Sequence, residues 1–483
     1  MARFNQPTIQ SKRTENLAGG LAYSQTPEIE FVSIMLTSFV QDQYYRGSTE
    51  TINRLVQLID DLCKQGKEQF VAKAAIYARN EFGMRSISHV AAATLAAHIR
   101  GYSWGKNFYE QIVRRPDDMT EIRALLGRQL PNAVRKGFKA AFNKFDTYQL
   151  AKYQAKSKNV SLADVVNAVH PIPTVYNAAG LEGIAKDTLR STETWETKLV
   201  QAGQTGETEE EVKNLKAEAW RDLINNRKLG YFALLRNLRN IVEQAPDMID
   251  AACEMLRDEE LIKGSLVMPF RFFTTYRELR DAPPKVLEAI SDALELSVQN
   301  VPELDNTLVV VDVSGSMNMP MSKYSNAMYW QIGMVMAAIL AKRSGADFMC
   351  FATKAEYDNF NPKSDVLDIV KNYRLGKLGY GTDFHAIFNT ANKPYDRIII
   401  FSDMQSWIGY KSGDKSLNRY ATNYNCMPHV YTVDLSGYGT AQFPENRIYQ
   451  LAGFSDKIFD IITLLESDKQ ALVNKINAVK LMP

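Results

Sequence analysis

Two short stretches and one loop place oxygen donors at spacings that suit a metal ion. Asp312-Val313-Ser314-Gly315-Ser316 sets a carboxylate and two hydroxyls at alternate positions. Gly315 permits the tight turn that lets both serines curl toward one ion. Gly379-Tyr380-Gly381-Thr382-Asp383 adds a threonine, and Ser402-Asp403 adds a second carboxylate. Carboxylates and hydroxyls without thiols or imidazoles suit a hard divalent cation, Mg2+ first, with Ca2+ or Mn2+ as alternatives. By itself, Asp-x-Ser-x-Ser is equally a serine-rich turn capping the helix that follows. The threonine loop and the second aspartate favour the ion. Asp312 and Asp403 are the pair around which a two-metal nuclease would be built, but serine and threonine bring too little negative charge for two ions.

A second concentration of chemistry is cationic. From Arg123 to Lys158 there are nine basic residues (Arg123, Arg128, Arg135, Lys136, Lys139, Lys144, Lys152, Lys156 and Lys158), and the only acid is Asp146. Clustered cations bind a polyphosphate because each neutralised phosphate releases counterions. Arg135, Lys136 and Lys139 share roughly one helical face. Phe145, Tyr148 and Tyr153 are interleaved and available to stack on bases. The alternative is a solvated helix face with buried aromatics. Five histidines stand at 89, 98, 170, 385 and 429, with no HExxH, GxSxG or P-loop pattern around them. An enzyme is therefore not expected. His89 reads as structural, and His385 as a helix-start residue facing solvent or capping.

The elements that must position these residues change character once along the chain. The first 25 residues are polar and read as an extended arm. Residues 26–299 are patterned for helices almost throughout, as in Ile52, Leu55, Val56, Leu58 and Ile59 on one side of a helix and Phe70, Ala74, Ala75, Tyr77 and Ala78 on the next. Helices joined by short turns suggest a stack of helix pairs, a HEAT-like solenoid, although no repeat period is evident and a globular helical bundle is the alternative. Residues 202–217 read as an exposed loop or solvated helix. Pro171, Pro173 and Gly180 mark an irregular segment, and Pro283-Pro284 precedes a final helix near 285–298. From 300 to 483, apolar runs at 308–312, 347–352, 397–402 and 429–433 alternate with helical segments at 323–343, 384–391 and 468–478. That alternation predicts a doubly wound, Rossmann-like α/β domain, with its ligand at the carboxyl ends of the strands.

Composition is permissive. A chain of 483 residues exceeds the roughly 250–300 at which a single core stops growing, so several domains are expected. A net charge of +2, with 18 Lys/Arg against 18 Asp/Glu in residues 301–483, makes neither half a polycation. A nucleic-acid surface must then be a local patch. Cys63, Cys253, Cys350 and Cys426 are far apart and fit a reducing compartment. A polar N-terminus without an apolar signal, and no run of roughly 18 apolar residues, point to a cytoplasmic protein away from membranes.

Several of these motifs resemble known families. Lys152-Tyr153 with Lys156, Asp164-Val165-Val166 and His170-Pro171 resembles the signature of the TROVE module of telomerase-associated, Ro and vault proteins. Leu130-Pro131 with Arg135-Lys136-Gly137, the stretch Ala233–Asn240, and Pro269-Phe270-Arg271-Phe272 with Tyr276 are similar to the same module. Asp312-x-Ser-x-Ser with Thr382 and Asp403 resembles the metal-ion-dependent adhesion site (MIDAS) of von Willebrand A domains. A TROVE module followed by such a domain is the architecture of the Ro autoantigen family, including its bacterial relatives. The resemblance implies a monomeric ring of HEAT-like helix pairs closed by the von Willebrand A-like domain. It implies a non-catalytic ribonucleoprotein active in RNA quality control. Small non-coding Y RNA is held on the outer basic surface, and single-stranded 3′ ends of misfolded or decaying RNA enter the central hole for an exoribonuclease partner. Lys152, Lys156 and His170 match the Y RNA contacts. This chain has one extra residue between Lys152 and His170, so Lys158 is the alternative to Lys156. Arg135, Lys136 and Lys139 stand as inner or rim contacts. Asp312, Ser314, Ser316, Thr382 and Asp403 are the implied ligands of the divalent cation. Arg236 and Asn237 are expected to satisfy backbone groups between stacked helices. The competing reading is a metal-dependent protein-interaction module, in which the ion leaves a coordination position for a partner's acidic side chain.

Overall fold

The computed structural model describes residues 13–38, 48–127, 129–154, 159–190, 195–265, 267, 269–298, 301–321, 327–359, 361, 363–406, 414–438, 440–443, 448–453, 458–459, 462 and 471–482. Compactness divides the chain into two units. One comprises residues 1–51, 231–239 and 252–472, and the other 52–230, 240–251 and 473–483.

Between residues 27 and 298 the described residues form helices, turns and loops without a strand. In helix Ser48–Lys64, Leu55, Leu58, Ile59 and Leu62 are buried, the three-and-four spacing of one apolar face. Helices Gly105–Ile112 and Asn132–Ala141 pack together at glycines. A Cβ on Gly137 would lie 2.4 Å from Tyr109 Cβ and 2.7 Å from the Lys106 carbonyl oxygen. Overpacking of this kind is relieved only by moving backbone, so Gly137→Ala is expected to lower stability by about 1–3 kcal/mol in urea unfolding.

A buried carboxylate organises the same unit. Asp118 lies in the first turn of helix Pro116–Leu126 and is fully buried. It accepts hydrogen bonds from Arg79 Nη2 at 3.0 Å, Arg85 Nε at 2.8 Å, and the backbone amides of Arg114 and Arg115, each at 2.9 Å. His89 Nε2 lies 3.1 Å from Asp118 Oδ1, the oxygen that Arg85 also engages. His89 is structural, as its sequence context suggests.

Segment 202–217 falls on two helices, Trp195–Thr205 and Glu209–Asn225, with Thr208 Oγ1 accepting from the Glu211 amide at 3.2 Å. Glu209, Glu210 and Glu211 occupy the first turn, where the helix dipole favours acids. The irregular stretch around Pro171 and Pro173 is shorter than expected. Gly180 lies inside helix Ala178–Ala185, where a Cβ would come within 3.0 Å of Thr147 Cα, so this glycine serves a close approach and not a turn.

The α/β region builds a six-stranded sheet. Its strands are β3 (Thr307–Asp312), β4 (Asp347–Phe351), β5 (Ala355–Tyr357), β6 (Arg397–Ser402), β7 (His429–Asp434) and β9 (Tyr449–Ala452), in the order β5-β4-β3-β6-β7-β9. All neighbours are parallel except the β4–β5 pair. The four expected strands are β3, β4, β6 and β7, and the two edges are additional. Leu308, Val310, Ile398, Ile400 and Val430 pack with Phe384, Phe388, Tyr420 and Phe443 in one buried cluster. Helix Tyr329–Ser344 is apolar nearly all round and buried.

Both chain ends depart from expectation. The N-terminal stretch is not a plain extended arm: β1 (Arg13–Glu15) and β2 (Leu21–Ser24) form an antiparallel hairpin, and β2 pairs with β8 (Thr440–Ala441). Asn16 Oδ1 closes the turn by accepting from the amides of Ala18 and Gly20 at 3.0 and 2.9 Å. At the other end, residues 473–483 belong to the mainly helical unit and not with the rest of 300–483. Lys73 Nζ donates to the Asn477 carbonyl at 2.6 Å, and Gln111 Nε2 to that of Lys480 at 2.7 Å. Main-chain hydrogen bonding decides these placements, and side-chain patterning does not record it. Among the described residues no helix is long and apolar enough to cross a membrane.

Candidate metal centre and nucleic-acid surface

Asp312 ends β3, and Asp403 directly follows β6, the strand beside it. The strand order turns here, since the chain runs from β3 to β4 on one side and meets β6 on the other. Such switch points open a crevice beyond the strand ends. Asp312 Oδ1 accepts from the Ser314 amide at 2.9 Å, and its Oδ2 from Ser402 Oγ at 2.6 Å. Ser314 Oγ and Ser316 Oγ are 3.3 Å apart. The Gly315 amide donates to the Tyr380 carbonyl at 2.8 Å, which brings the serine turn against the threonine loop. Ser406 Oγ donates to the Thr382 carbonyl at 2.7 Å, and Asn16 Nδ2 to that of Ser406 at 2.5 Å. The structure thus sets Asp312, the Ser314–Ser316 turn and Asp403 together, with the loop carrying Thr382 joined to them through main-chain carbonyls and the N-terminal hairpin fastened to Ser406.

Electrostatics there are unfavourable without a cation. Burial pushes the Asp312 carboxyl up to about 6, against the opposing hydrogen bonds from Ser314 and Ser402. Burial raises Asp403 well above the usual carboxylate range, and the neighbouring charges of Asp312 and Asp434 raise it further. Asp403 Oδ1 accepts from the Gln405 amide at 3.1 Å, while its Oδ2 is buried without a hydrogen-bond partner. Two crowded acids with an orphaned oxygen, ringed by hydroxyls, fit a divalent cation. Among the described residues no group of three His, Cys, Asp or Glu side chains is placed to hold a metal, so hydroxyls must complete any shell here. The capping alternative loses its basis, because the next described helix starts only at Tyr329, with Met328 as its cap. The His385 amide donates to Asp383 Oδ1 at 2.9 Å, and its Nδ1 lies 2.9 Å from Ser416 Oγ.

The cationic stretch is split by the fold. Lys152, half-buried, ends helix Thr147–Lys152, and exposed His170 caps helix Leu162–Val169 with a left-handed φ of 48°. Both helices pack on helix Ala178–Ala185. Lys156, Lys158 and Arg128 lie outside the described residues. Arg135 and Lys136 are exposed on helix Asn132–Ala141, with Lys139 half-buried beside them. Lys144 lies at the surface, but its ammonium is already engaged. Its ammonium donates to the carbonyls of Glu110 and Val113, and burial lowers its pKa to about 8. Of the three aromatics, Phe145 is core, and Tyr153 is covered by the Arg115 guanidinium 4.3 Å from its ring centre. Tyr148 alone is open, at 48% exposure. The sequence reading missed Tyr176, 75% exposed, whose carbonyl accepts from the Thr147 amide at 3.0 Å. That bond ties the His170–Tyr176 segment to the helix carrying Tyr148 and Lys152. An aromatic following Pro171 and Pro173 in an irregular stretch was the available signal.

Asn237 Nδ2 donates to the Ala233 carbonyl at 2.9 Å, within its own helix. Arg236 is exposed, near Arg271, whose pKa is lowered by burial and by the Arg236 charge.

The TROVE domain family matches residues 35–194 and 185–325. The chain belongs to the TROVE family. A second family, a domain of unknown function (DUF7788), matches residues 306–458, which span all six strands of the sheet. This TROVE chain is 23% identical over 296 residues to telomerase protein component 1 of Rattus norvegicus, and 22% identical over 293 residues to that of Mus musculus. These alignments take in 44% and 43% of the chain but only 11% of either relative, so the chain spans about a tenth of their length. Among solved structures it is similar to the RO (RSR) protein of Deinococcus radiodurans, with a TM-score of 0.60 at 16% identity over 93% of this chain and 99% of that one. At that identity the likeness is one of fold. The RNA-binding expectation now rests on TROVE membership as well as on the basic residues.

Proposed function

We propose that this TROVE protein is a non-catalytic RNA-binding protein of the Ro type. Small structured RNA of the Y kind rests on Lys152 and His170, with Tyr148 and Tyr176 carried by the same helix and segment, and Lys156 is a further contact that the Ro resemblance implies. Single-stranded 3′ ends of misfolded or decaying RNA enter the ring that the Ro resemblance implies, past Arg135, Lys136 and Lys139, and are presented to an exoribonuclease. The observation that carries this reading is the joining, in a TROVE chain, of the Lys152 helix to the exposed His170–Tyr176 segment through the Thr147–Tyr176 hydrogen bond. Cations beside open aromatic rings are what a folded RNA with unpaired bases requires.

The test is filter binding of a stem-loop RNA with a single-stranded 3′ tail across a salt series. Wild type is expected to bind tightly with a steep salt slope. Lys152→Ala/Lys156→Ala/His170→Ala is expected to bind at least about tenfold more weakly, with a slope shallower by roughly 0.9 for each lost phosphate contact. Equal, weak binding by both proteins sinks the reading.

The orphaned Asp403 Oδ2 supports a second role. Asp312, Ser314, Ser316, Thr382 and Asp403 hold Mg2+, with Ca2+ or Mn2+ as substitutes, in a von Willebrand A-like domain that grips an acidic side chain of a protein partner. When bound, the ion supplies a Lewis-acidic coordination position. The chain's own residues orient the donors and exclude water. Capture of that partner is expected to be lost in EDTA and in Asp312→Ala. Capture that survives both treatments removes this role.

A further inference from the structure

A groove of about 630 Å3 lies in the mainly helical unit, away from Lys152 and His170 in sequence. It is lined on one side by residues 99–103 with Lys106 and on the other by residues 129–133 with Lys136. Arg100, Lys106 and Lys136 line it and are exposed, and none of them forms an ion pair with a described residue. Gln129 and Asn132 add side-chain amides, and no carboxylate lines the groove. Tyr102 stands at its edge, 43% exposed. Its ring is braced by Trp104 at 5.3 Å, and its hydroxyl is hydrogen-bonded to Glu68. Three uncompensated cations, amides and a fixed open ring converge on one concavity of ligand size.

We propose that this groove holds one or two nucleotides of single-stranded RNA, with phosphates on Arg100, Lys106 and Lys136, a base stacked on Tyr102, and base edges read by Gln129 and Asn132. The proposal rests on the RNA-binding reading above and deepens its single-strand part: the groove shares Lys136 with that reading and adds Arg100, Tyr102 and Lys106, which it does not use. Charge selects the class of ligand: three cations against the single edge carboxylate of Glu68 attract a polyanion, and an aromatic platform favours one with unpaired bases.

The experiment is fluorescence anisotropy on the full chain with a labelled oligouridylate of about ten nucleotides, alongside a hairpin RNA lacking a tail. Tyr102→Ala and Lys106→Glu are expected to weaken oligouridylate binding about tenfold, while Tyr102→Phe keeps wild-type affinity because the ring is retained. Arg100→Ala/Lys106→Ala is expected to lower the single-strand salt slope by about 1.4. Hairpin binding is expected to stay unchanged in all four. If wild type binds oligouridylate and these variants match it in affinity and slope, the groove proposal falls and the RNA reading stands. If wild type binds neither RNA, both fall.

Discussion

Asp118→Ala is expected to destabilise the unit containing residues 52–230 by about 3–5 kcal/mol, the usual penalty when one member of a buried charged network is removed. The carboxylate is fully buried and faces Arg79, Arg85 and His89 together with two main-chain amides. Its loss strands Arg79, whose side chain is only 10% exposed. Arg115, held through its amide, also carries the guanidinium over Tyr153, so the disturbance reaches the neighbourhood of Lys152. Asp118→Asn separates charge from shape. Burial works to raise the Asp118 pKa, but the His89 hydrogen bond and the charges of Arg79 and Arg85 outweigh it and hold the carboxyl well below the usual carboxylate range. A depressed carboxyl stabilises the fold above its unfolded pKa of about 3.9, and this contribution is lost as pH falls from there toward the folded value. Urea unfolding between pH 7 and pH 3 is therefore expected to show a steeper acid loss in wild type than in Asp118→Asn. Parallel pH profiles would show that the network contributes through packing and not through charge.

Mg2+ is expected to raise the melting temperature of the wild-type protein, by an amount equivalent to about 2.7 kcal/mol when the ion is at 100 times its Kd. Asp403→Asn is expected to abolish that rise. The same variant is expected to melt higher than wild type in EDTA. Asp403 and Asp312 are buried with raised pKa values, so without an ion the fold bears the cost of their charges at neutral pH. The sign follows from linkage: a carboxyl raised in the folded state is a liability that grows as pH climbs from the unfolded pKa to the folded one, and is full above it. Asparagine removes one charge and keeps an oxygen for the Gln405 amide. Calorimetry with and without EDTA reads both effects. A variant that melts lower in EDTA and still responds to Mg2+ would mean that Asp403 is a structural acid and not a ligand.

Much of the α/β region was legible in advance because buried parallel strands are apolar runs, and Leu308–Val311 and Ile398–Phe401 stand out as such. The same runs end at Asp312 and Ser402-Asp403, so the meeting of the two carboxylates followed from parallel pairing of strands 90 residues apart. The short edge β5 and the N-terminal hairpin were not visible. Edge strands carry little apolar periodicity, and β1 and β2 are held by main-chain bonds and by Asn16, which any polar segment can offer.

For the basic stretch, residue type and order were fixed by the chain, and orientation was not. Lys144 and Arg135 are equally cationic in sequence and both are exposed, yet the Lys144 ammonium is taken up by the carbonyl oxygens of Glu110 and Val113. Phe145 sinks into the core and Tyr153 under Arg115, leaving Tyr148 and Tyr176 open. The chain alone determined that this protein has a helical region, an α/β region and the donors for a hard cation and a polyanion. Only tertiary packing decided which cations and rings remain outside. Burial depends on what a distant segment places against a side chain, and local periodicity carries no record of that neighbour.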